Sequence, residues 1–368
     1  MKIIFDHQVF SLQNAGGASR YFIELIRYLC DQSLLETHLL LGLTNTLSGI
    51  EDLDREKVTS LSIRTSLPPG MIRYFTNEIL SNIAAPWKGT FNIYHSTYYR
   101  FIPFIRFNNL VATHHDCVQE SLPSLFPDAR KIIAAKQRLY RKADAIICVS
   151  EASQRDLFKF YDVDPGKVRV IYHGLSNLIP TDLALGEIRQ IRSRPYLLYV
   201  GSRFAYKNFN GFVNAFYHSN LQKDFDLLVI GGGQPTLEEK RLITSFNMNR
   251  CVRFIPYATD HLLAAAYSLA HLFVYPSLFE GFGFPPLEAM SLRCPVLVAN
   301  TSSLPEICKH GALYFEPKNE ESLIYALKSA TSDTSLRCML ISNGREVASE
   351  YNWKKCGDKT LKLYHQLG

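Results

Sequence analysis

Residues 277–290 read Ser277-Leu278-Phe279-Glu280-Gly281-Phe282-Gly283-Phe284-Pro285-Pro286-Leu287-Glu288-Ala289-Met290. An apolar run ends just before them at Tyr275, and Pro285-Pro286 mark a helix start, where proline lacks no needed donor. Strand, glycine loop and helix in that order make the βα unit of a parallel sheet. The N–H groups of Phe282, Gly283 and Phe284 then lie at the positive helix end, which suits a diphosphate or sugar hydroxyls. Glu280 falls in the loop and Glu288 in the first helical turn. A carboxylate accepts from two vicinal hydroxyls, as a ribose or a hexose offers. Equally, a first-turn Glu288 does no more than complement the helix dipole.

Working outward, other short apolar runs are followed by glycine or charge in the same way. Tyr199-Val200-Gly201-Ser202-Arg203-Phe204-Ala205-Tyr206-Lys207 puts Arg203 and Lys207 just after a strand, where fixed cations would stabilise a departing diphosphate. A solvated basic loop is the plain alternative. Gly16-Gly17 precede a helix and read as an anion or hydroxyl site or as a tight turn. Gly231-Gly232-Gly233 follow a strand and could pass beneath a nucleotide base. Thr113-His114-His115-Asp116 resembles a metal site only superficially, because adjacent histidines leave a strand end in different directions. A neutral His115 bonded to a substrate hydroxyl, or a satisfied structural histidine, fits better.

The whole chain alternates in this manner. Strand candidates fall at 2–6, 38–43, 58–63, 92–95, 110–113, 145–149 and 168–171, with helical stretches such as 18–29 and 130–142. A polar segment, 176–194, reads as a structure-poor linker. The alternation restarts at 196–200, 226–230, 252–255, 272–275 and 295–299. The expected architecture is α/β with two domains, 1–180 and 195–350, and a helix in 351–368 crossing back to the first. In open parallel sheets ligands bind beyond the strands' carboxyl ends, so two such sheets would face an interdomain cleft.

Composition agrees with a globular enzyme. Of 368 residues 47% are hydrophobic and 20% charged, which argues against disorder. No apolar run approaches the roughly 20 residues of a membrane helix. The opening Met1-Lys2-Ile3-Ile4-Phe5-Asp6 becomes charged too early for a signal peptide, so the expected compartment is the cytoplasm. Eight scattered cysteines without CxxC spacing point to reduced thiols. The net charge of +6 is shared equally between the halves, which gives nucleic-acid binding no support.

Together these motifs resemble the GT-B retaining glycosyltransferases of family 4, also called group 1. Glu280 and Glu288 match the E-x7-E motif of that family, inside a nearly complete P-S-x-x-E-G-F-G-x-P-x-L-E-A-M. Arg203 and Lys207 match its diphosphate-binding pattern, Gly16-Gly17 its first-domain loop, and His115-Asp116 a stretch lying near the transferred sugar. The chain departs at Arg293, His173 and Pro256, where Gly, Asn and Gly are common. The resemblance implies two Rossmann-like domains and transfer with retention from a nucleotide-sugar substrate, without cofactor or metal. It assigns catalysis to Arg203, Lys207, Glu280 and His115. Donor binding falls to Gly16, Gly17, Gly232, Tyr257, Gly281, Phe282, Gly283, Phe284 and Glu288, and acceptor binding to Tyr98 and Arg100. Bacterial surface-polysaccharide enzymes are the nearest in style, so mannose from GDP-mannose and a glycan or lipid-linked glycan acceptor are expected. A UDP-sugar transferase, a nucleotide-sugar epimerase and a non-catalytic nucleotide-sugar-binding partner are the alternatives. Residues 68–88 and 130–142 mix apolar and basic side chains, and so suggest peripheral contact with the inner membrane face.

Overall fold

The structure is a computed structural model that describes residues 1–13, 16–32, 34–44, 58–64, 70–84, 89–99, 105–191 and 194–368. The chain forms two compact units, Met1–Gly174 with Asn352–Gly368, and Leu175–Tyr351. Each is an α/β unit with an all-parallel sheet. In the first, β1 (Lys2–Phe5), β2 (Glu36–Thr44), β3 (Val58–Arg64), β4 (Thr90–Ser96), β5 (Arg106–His114), β6 (Ala145–Cys148) and β7 (Val168–Val170) lie in the order β3-β2-β1-β4-β5-β6-β7. In the second, β8 (Tyr196–Val200), β9 (Asp226–Ile230), β10 (Val252–Ile255), β11 (Leu272–Tyr275), β12 (Val296–Ala299) and β13 (Leu313–Phe315) lie in the order β10-β9-β8-β11-β12-β13. Helices cover both faces, which is why the central strands are apolar on both sides; all residues of β6, β8, β9, β11 and β12 are buried.

The first unit's core joins β1, β4 and β5 to the helix Gly17–Cys30 through Phe5, Phe22, Ile26 and Ile93, and the C-terminal helix Trp353–Leu367 completes it with Leu363 and Tyr364. The hydroxyl of Tyr364 lies 2.5 Å from Nδ1 of His95, whose Nε2 lies 2.7 Å from the Thr113 hydroxyl. The chain returns to this unit beside the point where it leaves. A side chain at Gly174 would place its Cβ 2.3 Å from the backbone nitrogen of Trp353, so only glycine allows the two segments to cross.

One expectation needs correction here. Residues 182–191, read as linker, form the helix Asp182–Ile191, which buries Ala184 and Ile188 and packs on the helix Asp260–Leu269. Asp182 complements its first turn, and the polar composition reflects its outer face. The helix Ala129–Lys142 turns Ala135, Leu139 and Tyr140 inward together with Lys136, so one of its six basic residues is internal. The helix Met71–Ala84 is built the other way round. Its polar Arg73, Asn77 and Ser81 are buried, whereas Met71, Ile72, Phe75, Ile79 and Ile83 are exposed along one face. Arg73 donates to the carbonyls of Phe10 (2.7 Å) and Ser11 (3.2 Å), at the negative end of the helix Gln8–Leu12. Arg293, just after the helix Phe284–Ser291, has φ of 61°, the left-handed cap usually given to glycine.

Burial holds five histidines of the first unit neutral. His7 and His115 are pushed down to about 4, His95 to about 3, and His114 and His173 well below their usual value. Each binds a proton on unfolding once the pH is under about 6.5, so stability is full above that pH and falls as pH drops toward 4. In the second unit only His271 is shifted downward among the described histidines. Between pH 7 and pH 5, hydrogen exchange should therefore show protection in the first unit falling faster than in the second, by up to about 1.4 kcal/mol per pH unit for each histidine. Equal loss in both units would show that these side chains are not buried neutral.

Candidate donor and acceptor sites

Strand order in the second sheet reverses between β8 and β11, and the loops leaving those strands flank the crevice that results. After β8, Gly201 (φ 132°) turns the chain, and a short turn, Ala205–Lys207, ends at Asn208 in the left-handed region. After β11 comes the loop carrying Glu280. The two loops join through a backbone bond from Leu278 N–H to the Tyr206 carbonyl, 2.7 Å. Beside it the Lys207 ammonium donates to the Glu280 carboxylate at 2.5 Å and approaches the Tyr275 hydroxyl at 3.4 Å. The pair is only 12–13% exposed. The Glu280 N–H donates to the Ser302 hydroxyl oxygen, and Ser303 donates to the Glu280 and Phe282 carbonyls, so the loop after β12 fixes the glycine loop from behind. Nothing in the sequence pattern marked Ser302 or Ser303.

Arg203 leaves the same loop as Lys207 but is occupied differently. Its Nε donates to Glu239 at 2.7 Å, Nη1 to the Gly231 carbonyl at 2.5 Å, and Nη2 to the Gly233 and Gln234 carbonyls at 3.1 and 3.0 Å. Gly231, Gly232 and Gly233 all have positive φ, 89°, 71° and 75°, which lets successive carbonyls converge on one guanidinium. The side chain is 3% exposed. Arg203, expected as a cation for a diphosphate, here closes the β9 glycine loop through these carbonyls and Glu239. Glu239 is the partner the sequence reading missed. It also closes a capping box with Thr236 at the start of the helix Leu237–Ser245, a T-x-x-E signal that could have found it. Tyr257 is exposed, with its hydroxyl beside Gly233, and Gly232 lies against Arg203.

Gly283 has φ of 103° and caps the helix Phe284–Ser291 without any side-chain bond. Phe282 and Phe284 are buried with rings 5.3 Å apart, and Gly281 is partly exposed between them and Glu280. Glu288 is the fifth residue of that helix, in its second turn rather than its first. It is buried and accepts from the Tyr267 hydroxyl at 3.1 Å. Second-turn burial removes the helix-dipole reading, because the dipole effect fades within the first turn.

In the first unit the order reverses between β1 and β4. Asp6, at the end of β1, organises that edge. Its carboxylate accepts from the Gln8 side chain (2.6 Å), the Tyr94 hydroxyl (2.6 Å), the Ser96 hydroxyl and the Thr97 hydroxyl and N–H. Gly16 and Gly17 open the helix Gly17–Cys30 without a side-chain cap. His114 and His115 diverge at the end of β5. His114 is satisfied within the unit, 2.7 Å from the Tyr140 hydroxyl. His115 lies among Phe22, Tyr21 and His173, with ring centroids 6.0–6.5 Å away, and its buried Nε2 has no hydrogen-bond partner among the described residues. A neutral imidazole with an open nitrogen suits a hydroxyl ligand. The Tyr98 and Tyr99 rings lie 4.2 Å apart, tilted by 38°, while Arg100 lies outside the described residues. Among the described residues no three His, Cys, Asp or Glu side chains converge as metal ligands would, and no helix is long and apolar enough to cross a membrane.

Comparison with known proteins places these arrangements. The sequence profile described as glycosyl transferases group 1 matches residues 187–347, and that described as glycosyltransferase family 4 matches residues 15–176. The O-antigen chain mannosyltransferase B of Escherichia coli is 26% identical over 286 residues, 75% of this chain and 74% of that one. The O-antigen chain mannosyltransferase RfbU of Salmonella typhimurium is 27% identical over 235 residues, 63% of each chain, so the match spans less than two thirds of that relative. The fold matches HepE of Anabaena, solved in complex with UDP and glucose, with a TM-score of 0.78 at 18% identity over 100% of both chains. With one profile on each α/β unit, this chain belongs to the family 4, or group 1, glycosyltransferases and carries their GT-B fold.

Proposed function

We propose that this protein transfers a mannosyl group from GDP-mannose to a glycan or lipid-linked glycan acceptor, with retention of configuration and without a metal ion. The observation that carries the reading is the Lys207–Glu280 pair. Two side chains 73 residues apart meet at 2.5 Å beside the β8/β11 crevice, placing a cation for phosphate next to an anion for sugar hydroxyls. The bond from the sugar's anomeric carbon to the diphosphate oxygen breaks, and the acceptor oxygen bonds to that carbon on the same face. The acceptor's proton passes to the departing phosphate oxygen. Lys207 and the helix end at Gly283 neutralise the charge that develops there, Glu280 orients the hexose, and buried Glu288 accepts from the ribose hydroxyls. Mannose is favoured by the E. coli and Salmonella relatives, both described as O-antigen chain mannosyltransferases.

A thermal-shift panel of GDP- and UDP-sugars tests the donor, since a ligand at 100 times its Kd adds about 2.7 kcal/mol. GDP-mannose should give the largest shift, and GDP release should require acceptor and survive EDTA. A shift with UDP-sugars alone would replace the donor. Release without acceptor would favour an epimerase, binding without turnover a silent partner, and activity lost with EDTA and restored by magnesium would overturn metal independence.

The outward face of the helix Met71–Ala84 supports a peripheral membrane contact, and it refines the sequence expectation. The apolar part comes from this helix, and the basic part from Arg130, Lys131, Arg138, Arg141 and Lys142, which are exposed on a helix whose apolar side is packed inward. Trp87 and Lys88 lie outside the described residues. Phosphatidylglycerol vesicles should co-sediment the protein at 0.1 M salt and less so at 1 M, as the Debye length falls from about 10 to 3 Å. Ile72→Ser with Phe75→Ser and Ile79→Ser should abolish binding without lowering Tm, because these side chains are already exposed. Undiminished binding by that variant would remove the helix from the contact.

A further inference from the structure

Lys136 lies in the middle of the helix Ala129–Lys142, and its side chain is 0% exposed. Its ammonium is fully engaged. Nζ lies 2.9 Å from the Asp116 carbonyl, 3.1 Å from Gln119 Oε1, and 3.0 and 3.1 Å from the two carboxylate oxygens of Glu120. Glu120 is 2% exposed and also accepts from the Tyr161 hydroxyl. On another side the ammonium stands 4.7 Å from the centroid of the Tyr99 ring.

Stability alone does not explain this arrangement. Removing both charges from water costs several kcal/mol per ion, and an apolar pair of similar volume often holds a fold as well or better. An apolar side chain, however, could not grip the carbonyl of Asp116. That carbonyl belongs to the residue directly after His115, where the backbone has just left β5. The ring under the ammonium belongs to Tyr99, which packs against the tilted ring of Tyr98 in the segment following β4. One buried cation therefore ties together the two segments that carry the first unit's candidate substrate contacts.

We propose that Lys136 is a positioning residue, which holds the His115–Asp116 backbone and the Tyr98–Tyr99 pair in the geometry that presents the open nitrogen of His115 to a substrate hydroxyl. The inference rests on the reading of His115 as a substrate contact. The surroundings of His115 agree with it. Burial is the main force keeping that imidazole neutral; Asp116 opposes it, Lys136 reinforces it, and His95, His114 and His173 are neutral neighbours.

The test is a double-mutant cycle in the full-length protein. Lys136→Met with Glu120→Gln removes both charges, so that neither is left buried alone. In the parent background this variant should lose about tenfold in kcat with little change in donor KM, and in the His115→Ala background the further loss should vanish, as coupled residues require. The NMR titration midpoint of His115 should rise from about 4 in the same variant, because a reinforcing cation is gone. Equal losses in both backgrounds, or an unmoved midpoint, overturn the proposal. A fully active His115→Ala variant overturns instead the substrate-contact reading beneath it. Tyr99→Leu removes only the ring beneath the ammonium and leaves the ion pair, and it gives a milder second kinetic series, read by the kcat loss in the two His115 backgrounds alone, should the charge-free variant fold poorly.

Discussion

Strand order reverses once in each sheet, between β1 and β4 and between β8 and β11, and the chemistry of the chain collects at those two places. A parallel sheet sends its connections away to opposite faces on either side of such a reversal, so the carboxyl ends there stay open. In the second unit the opening is flanked by the Arg203–Lys207 and Glu280–Gly283 segments, and in the first by Asp6 with the segment following Ser96. Loops placed on a rigid sheet with a buried centre hold side chains to a geometry that loops elsewhere would not.

The second unifying feature is the way charge is held. Lys207 pairs with Glu280, Arg203 with Glu239 and Lys136 with Glu120, and each pair is largely withdrawn from solvent. Such pairs add little net stability against apolar substitutes, but breaking one strands a buried charge. They therefore act as fixed points. Glu239 shows this directly, because one carboxylate caps a helix and anchors the guanidinium that closes the glycine loop.

Much of this was legible in the sequence, and the reason is local. Twelve of the strands announce themselves as short apolar runs, and the loops after β8 and β11 carry glycine, charge and proline at spacings that need no tertiary information. The missing strand, β13, has three residues and only one of them is buried. The helix Asp182–Ile191 was hidden by its polar outer face. What the sequence could not disclose was pairing over distance. The carbonyl partners of Arg203 lie about thirty positions away along the chain, and Lys136 looks like any other basic residue on an amphipathic helix until its rotation about the helix axis is known. Glu288 moved by one position, from the end of the first turn into the second, because the helix begins at Phe284, before the two prolines.

The central claim is that Lys207 meets charge which appears only as the diphosphate departs. Single-turnover rates for Lys207→Ala at saturating donor test it most directly. The rate should fall about 100-fold or more while donor Kd changes far less, as expected when a donor aimed at developing charge is removed. A parent-like rate, or a loss confined to donor affinity, would contradict the account.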